Sequence, residues 1–208
     1  MNDLFPNDGD LHERLVRGEP QALGELFSRH RDRLGRMVRF RLDVRMRSRL
    51  DPDDLVQEAY LDAVQRLGHY AKVPEMSPFV WLRQIVKQTM IDFHRKHLQA
   101  QRRDAEREAG GVFPQGTSAS LVGQLMGKWT SPSQKAMRGE TARQLEAAIA
   151  EMDPIDQEVL ALRHFEELSN GEVAEVLGIH DKAASIRYVR ALKRLKETLD
   201  RLPGFSEK

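Results

Sequence analysis

Leu23, Leu26, Phe27, Leu34, Met37, Val38 and Leu42 recur three and four residues apart, with arginines filling the positions between them. This spacing predicts a helix with one buried stripe and one solvated basic face. Gly24 and Gly35 weaken the element, so a bend or break is expected within it. A second helix has a sharp start: Asp51 can cap, Pro52 suits the first turn, and Asp53 and Asp54 favour the positive end of the dipole. Its expected buried face is Leu55, Val56, Ala59, Tyr60, Ala63, Val64 and Leu67, ending at Gly68. A loop from His69 to Ser77 follows. Ser77-Pro78 then opens a helix that carries Phe79, Leu82, Ile85, Val86, Thr89 and Phe93 on one face, before a charged tail from His94 to Glu108.

Between Gly110 and Ser133 the composition shifts to scattered Gly, Ser, Thr and Pro without a sustained period, which reads as a flexible linker. As a free coil it would span ~27 Å, and fully stretched ~80 Å. Leu121, Val122, Leu125, Met126 and Trp129 are too apolar for a pure spacer, so part of it is expected to dock. Helical periodicity resumes at Ala136: Leu145, Ala148, Ile149 and Met152 share a face, and Asp153-Pro154 restarts the chain ahead of Val159, Leu160 and Leu162. No strand alternation is sustained. The expected fold is all-α, with two small helical domains at residues 8–108 and 136–204 joined by a linker at 109–135.

The most informative stretch is Leu168 to Leu199. Ser169 with Glu172 three positions on is a capping box, and Gly178 supplies a tight turn before a long helix from about Asp181. A short helix, a glycine turn and a long basic helix are the parts of a helix-turn-helix. On the long helix Ala184, Tyr188, Ala191, Leu192, Leu195 and Leu199 face inward, leaving Lys182, Ser185, Ile186, Arg187, Val189, Arg190, Lys193 and Lys196 outward. Its first turns would enter a major groove, with basic residues further along placed for phosphates. A basic solvated helix ending an ordinary bundle is the plainer interpretation; the capping box, turn and helix taken together favour DNA.

Composition narrows the rest. The chain has 208 residues, 40% hydrophobic and 31% charged, and a net charge of +1. Total charge therefore gives no argument for nucleic acid, and the case rests on where the basic residues lie. The absence of cysteine excludes disulfides and thiolate metal sites. No apolar run approaches the roughly 20 residues needed to cross a bilayer, and the start of the chain lacks a secretion-signal pattern, so a cytoplasmic location is expected. No phosphate-cradling loop, paired carboxylate site or nucleophile constellation stands out. No enzymatic activity, cofactor or metal is expected.

The run from Asp156 to Ser169, leading into Glu172-Val173-Ala174-Glu175-Val176-Leu177-Gly178-Ile179, resembles the promoter −35-binding domain of bacterial sigma factors of the extracytoplasmic-function class within the sigma-70 family. Family members usually carry a β-branched residue where this chain has Ala184. Upstream, Asp51 to Glu58 resembles the family's polymerase-binding helix, which makes Asp53, Asp54, Gln57 and Glu58 the implied contacts to core RNA polymerase. Phe79 to Lys87 resembles the segment that grips the melted −10 strand, and His69, Tyr70, Lys72, Trp81, Lys87, Arg95 and Lys96 are the implied DNA contacts there. Trp81 and Phe79 also fall near the apolar stripe, whereas Tyr70 and Lys72 are expected on a loop. His94 and His97 are expected to face phosphates. At −35 the implied contacts are Lys182, Ser185, Ile186, Arg187, Val189, Arg190 and Lys193.

The resemblance runs from about Leu15 to Leu199, and the linker together with the Leu162-Arg163-His164-Phe165-Glu166 run looks most like the planctomycete-type subgroup. It implies core RNA polymerase and promoter DNA as partners, with an anti-sigma factor or other regulator. Two rivals remain open from sequence alone. One is a dimeric helix-turn-helix regulator that never joins polymerase. The other is a recombinase, for which the tyrosines of the first domain, Tyr60 and Tyr70, lack a suitable setting.

Overall fold

The computed structural model describes residues 9–42, 50–72, 75–102, 117–127 and 135–201. Every regular element among them is helical, and the chain divides into two compact units, residues 1–114 and 115–208.

The first unit holds α1 (Gly9–Val16), α2 (Pro20–Arg41), α3 (Pro52–Tyr70) and α4 (Pro78–Arg102). α2, α3 and α4 pack mutually, and α1 lies against all three. Leu23, Leu26, Leu34, Met37 and Val38 of α2 are fully or almost fully buried, as the sequence stripe predicts. The expected break at Gly24 or Gly35 does not occur: α2 is continuous from Pro20 to Arg41. Packing on both sides of each glycine outweighs its roughly 1 kcal/mol of lost propensity. Arg14 of α1 pairs with Glu19 at 3.0 Å and Glu25 at 2.8 Å, which ties α1 to the start of α2.

The basic face of α2 is not wholly solvated. Arg33 is 3% exposed and lays its guanidinium 3.6 Å from the centre of the Phe79 ring, beside buried His30. Here an arginine serves as core, its charge set over the face of an aromatic ring. Arg45, Arg47 and Arg49 lie outside the described residues.

Asp51 caps α3 as expected, accepting from the backbone N–H of Asp53 at 2.9 Å. The helix then runs two residues beyond Gly68, so His69 and Tyr70 are helical rather than loop residues. Thr89 on α4 donates to Asp62 on α3 at 2.8 Å. α4 continues through the expected charged tail to Arg102.

The second unit holds α5 (Thr117–Gly127), α6 (Lys135–Ala150), α7 (Pro154–Leu160), a π-helical turn (Ala161–Phe165), α8 (Asn170–Leu177) and α9 (Asp181–Arg201). α5 falls inside the stretch expected as linker. It packs on α6 and α7 with Leu121 and Val122 buried, and Thr117 donates to Glu158 at 2.7 Å. Leu121 and Val122, two of the apolar residues that made a pure spacer implausible, are thus on the docking face, and the second unit begins before the expected boundary at residue 136. Met126 and Trp129 have no described side-chain placement. Asp153 caps α7 by accepting from Ile155 N–H at 2.8 Å, and Leu145, Ile149, Met152, Val159, Leu160 and Leu162 form the core.

Candidate nucleic-acid interface

At 100° per residue, Asp54, Gln57, Glu58, Leu61 and Val64 fall along one stripe of α3. All five are exposed. Leu61 is 55% and Val64 47% exposed, which corrects the expectation that Val64 faces the core. The result is an acidic and amide surface that continues into an aliphatic patch one turn on. Asp53 lies at the edge of this stripe, and its side chain turns toward α2, 3.7 Å from Arg31 and 3.9 Å from Arg39.

The residues expected at −10 separate into three groups. His69, Trp81 and Lys87 line one open groove of about 640 Å³ between the end of α3 and α4, together with Arg66, Gln84 and Gln88. Exposed His69 and Lys87 can reach a strand lying in that groove. Trp81 is 6% exposed and forms part of the groove's floor, its ring 4.9 Å from that of Tyr70.

Tyr70 itself is a correction. It is 0% exposed, and its hydroxyl donates to the Met76 carbonyl at 2.8 Å. His12 Nδ1, 2.8 Å from the Tyr70 hydroxyl oxygen, is then the donor to it. Tyr70 therefore braces the segment after α3 against α1, because a phenol at a helix end can bury its ring while its hydroxyl satisfies a turn carbonyl. Lys72 is exposed just past it, and Val73 and Pro74 lie outside the described residues.

Arg95 and Lys96 line a different groove, of about 730 Å³, whose other wall carries Asp54, Glu58 and Asp62. They sit with the acidic face of α3 rather than with His69 and Lys87. His94, expected to face phosphates, is 8% exposed, since it continues the buried stripe of α4. The side chain of His97 is outside the described residues.

In the second unit the capping box closes as the sequence predicts. Ser169 N–H donates to Glu172 Oε2 at 2.6 Å, and Glu172 N–H donates to Ser169 Oγ at 3.2 Å. Gly178 ends α8 at φ 63°, a left-handed conformation that glycine adopts without steric cost. Asn170 Nδ2 donates to the Asp181 carbonyl at 2.8 Å and to its Oδ1 at 2.6 Å, joining the start of α8 to the start of α9. Ala184 and Ala191 are fully buried, and Tyr188, Leu192, Leu195 and Leu199 are half-buried, as expected for the inner face.

On the outer face Lys182, Ser185, Ile186, Val189, Lys193 and Lys196 are exposed and follow one stripe. Arg187 and Arg190 are rotated away from it. Arg190 donates through Nε to Asp156 Oδ2 at 2.9 Å and through Nη2 to Oδ1 at 2.9 Å; Arg187 donates through Nη1 to Oδ1 at 2.8 Å. The Asp156 side chain is completely buried. Burial pushes its carboxyl up, but the hydrogen bonds from Arg190 and Arg187 outweigh that and hold it below the usual carboxylate range. The same pair raises Arg190. Two of the seven expected −35 contacts are therefore anchored to α7.

Sequence reading missed Asp156, Leu61 and the groove partition. Asp156 carried a weak signal: it stands two residues after a helix-starting proline, three and four residues before the buried Val159 and Leu160. Leu61 gave a clearer one, since it falls on the same stripe as Asp54 and Gln57.

Two family models match the chain: Sigma-70 region 2 over residues 26–99 and Sigma-70, region 4 over residues 142–195. Together they span more than half of its length. The chain is similar to the ECF RNA polymerase sigma factor BldN of Streptomyces coelicolor, at 27% identity over 190 residues, which cover 89% of this chain and 64% of that protein. It is also similar to the RNA polymerase sigma factor CnrH of Cupriavidus metallidurans, at 28% identity over 201 residues, covering 95% of this chain and 97% of that one. This chain thus spans just under two thirds of the first relative and nearly all of the second. A solved structure of CnrH in complex with the cytosolic domain of CnrY shares the fold, with a TM-score of 0.51 at 24% identity, covering 93% of this chain and 97% of that chain. Among the described residues, no helix is long and apolar enough to cross a membrane.

Proposed function

Because the chain belongs to the sigma-70 family, we propose that it joins core RNA polymerase and directs it to promoter start sites, the first unit acting at −10 and the helix-turn-helix at −35. The observation that carries this reading is a pair of outward faces in a chain matching regions 2 and 4 in order. One is acidic and aliphatic on α3, and the other is basic and aliphatic on α9.

On α3, Asp54, Gln57 and Glu58 supply charge and hydrogen-bonding capacity, and Leu61 and Val64 supply apolar area. An apolar centre with a polar rim is how stable protein interfaces are composed, and a negative rim favours a basic partner surface on the polymerase. Asp53, engaged toward α2, has a lesser part. In the groove between α3 and α4, His69 and Lys87 meet the melted strand while buried Trp81 shapes the floor, backed by the Tyr70 ring. An unstacked base regains roughly 1–3 kcal/mol in such a setting. Lys72 adds a phosphate contact, and Arg95 and Lys96 serve the polymerase side.

Each contact is modest. Tethering both units to one assembly raises effective concentration, so the pair binds far more tightly than either alone. An anti-sigma protein or another regulator belongs to the same proposal as a further partner. A dimeric regulator would need only the second unit, and it leaves the region 2 match and the acidic face of α3 without a purpose.

The test is co-purification with core RNA polymerase at low salt, followed by run-off transcription on a randomised promoter library. Enrichment of an upstream and a downstream element at fixed spacing is expected. Failure to associate with the core enzyme would overturn the proposal.

A further inference from the structure

Resting on the reading of this chain as a promoter-recognition subunit, we propose that Ile186 and Val189 read its upstream element by contact with thymine methyl groups. They are the most exposed large hydrophobic residues among those described, at 57% and 65%. Both lie in the stripe that Lys182, Ser185 and Lys193 share, and both sit within the first three turns of α9, the part of a recognition helix that meets base edges.

The two arginines nearby do not occupy this role. Arg187 and Arg190 turn to Asp156 with every donor–acceptor distance at 2.8–2.9 Å, so the outward surface is left to two branched aliphatic side chains flanked by lysines and a serine. Lys182, Lys193 and Lys196 give this surface the positive sign that draws a phosphate backbone close on either side. Within a major groove bounded by phosphates, an aliphatic side chain finds one apolar feature on the base edges, the 5-methyl of thymine. Neither Ile186 nor Val189 can hydrogen-bond a base. Their selectivity comes from covering a methyl against leaving polar base-edge atoms dehydrated. The upstream element is accordingly one with thymines, on either strand, at the positions these two residues cover.

The experiment uses the full chain bound to core polymerase. Promoters enriched from the randomised library are remade with deoxyuridine for thymine at single upstream positions, which removes the methyl and keeps every hydrogen-bonding group. Wild type is expected to lose about fourfold in occupancy per contacted methyl, the equivalent of ~0.8 kcal/mol. Ile186→Ala and Val189→Ala should each abolish the deoxyuridine effect at one position while leaving it at the other, with unfolding midpoints unchanged because both side chains are exposed.

Absence of any deoxyuridine effect, or its persistence in both variants, would overturn the inference while leaving promoter-directed transcription intact. A loss of core-polymerase binding in the variants would overturn it too, by marking the pair as a protein contact. A library that enriches no upstream element sinks the functional reading itself, and this proposal with it.

Discussion

Arg190 grips the buried carboxylate of Asp156 through two nitrogens, Nε and Nη2, each 2.9 Å from a different oxygen. The fork fixes the rotation of α9 against α7, and Arg187 adds a third hydrogen bond at 2.8 Å. Which residues α9 presents outward depends on this clamp, because turning the helix by one residue would replace Ile186 and Val189 with its anchored arginines.

Asp156→Asn is expected to destabilise the second unit by about 1–3 kcal/mol. That is less than the 3–5 kcal/mol of a fully buried pair, since the Arg190 side chain is half exposed. The sign with pH follows from the lowered carboxyl. Its stabilisation is present above the unfolded-state value near 4 and disappears as pH falls below it. Thermal unfolding between pH 7 and pH 2.5 should show the wild-type advantage over Asp156→Asn constant down to about pH 4 and shrinking below. An advantage that grew in acid would contradict the clamp.

Arg190→Ala should act through the fold before it acts through DNA. A loss of about 1 kcal/mol in unfolding free energy is expected, with binding lowered on all promoter sequences and the preference profile retained, because Arg187 still holds Asp156 and keeps the rotation of α9. A selective change at one base pair, measured by competition among single-substituted upstream elements, would show that Arg190 leaves Asp156 to read that base.

Much of this was legible from spacing alone. Asp51, Ser169, Glu172 and Gly178 act over one to three residues, and local geometry decides them wherever the chain is placed; all four behave as the sequence implies. The buried stripe of α2 was equally plain. What the sequence could not show was how partly apolar residues divide between core and surface. Tyr70 and Val64 exchange their expected places, and for Tyr70 the cause is a neighbour far along the chain. That neighbour is His12, 58 residues away, whose imidazole meets its hydroxyl. Arg33, Arg187 and Arg190 make the same point. A guanidinium in a basic run gives no sign of whether Phe79 or Asp156 awaits it.

The acidic face of α3 gives the next expectation. Asp54→Lys with Glu58→Lys should reduce co-purification with core polymerase at least tenfold, with the free protein still folded and destabilised by only about 1 kcal/mol, mainly through loss of Asp54 from the first turn of α3. Leu61→Ala with Val64→Ala should weaken association without the salt dependence of the charge variant, since apolar contact is not screened. Unchanged holoenzyme formation in both variants would remove the assignment of this face.

Tyr70→Phe isolates the brace behind the −10 groove. The ring stays against Trp81, so packing is preserved and only the hydroxyl is removed. Both Met76 carbonyl and His12 Nδ1 then lose a partner in a part-buried setting, which should cost about 1–2 kcal/mol in the first unit. The segment leading into α4 also loses its tie to α3, so the packing behind Trp81 in the groove's floor loosens. Transcription from a duplex promoter should therefore fall more than transcription from one with a pre-melted −10 segment, for which opening is already complete. An equal fall on both templates would place Tyr70 in direct contact with the strand, contrary to its complete burial.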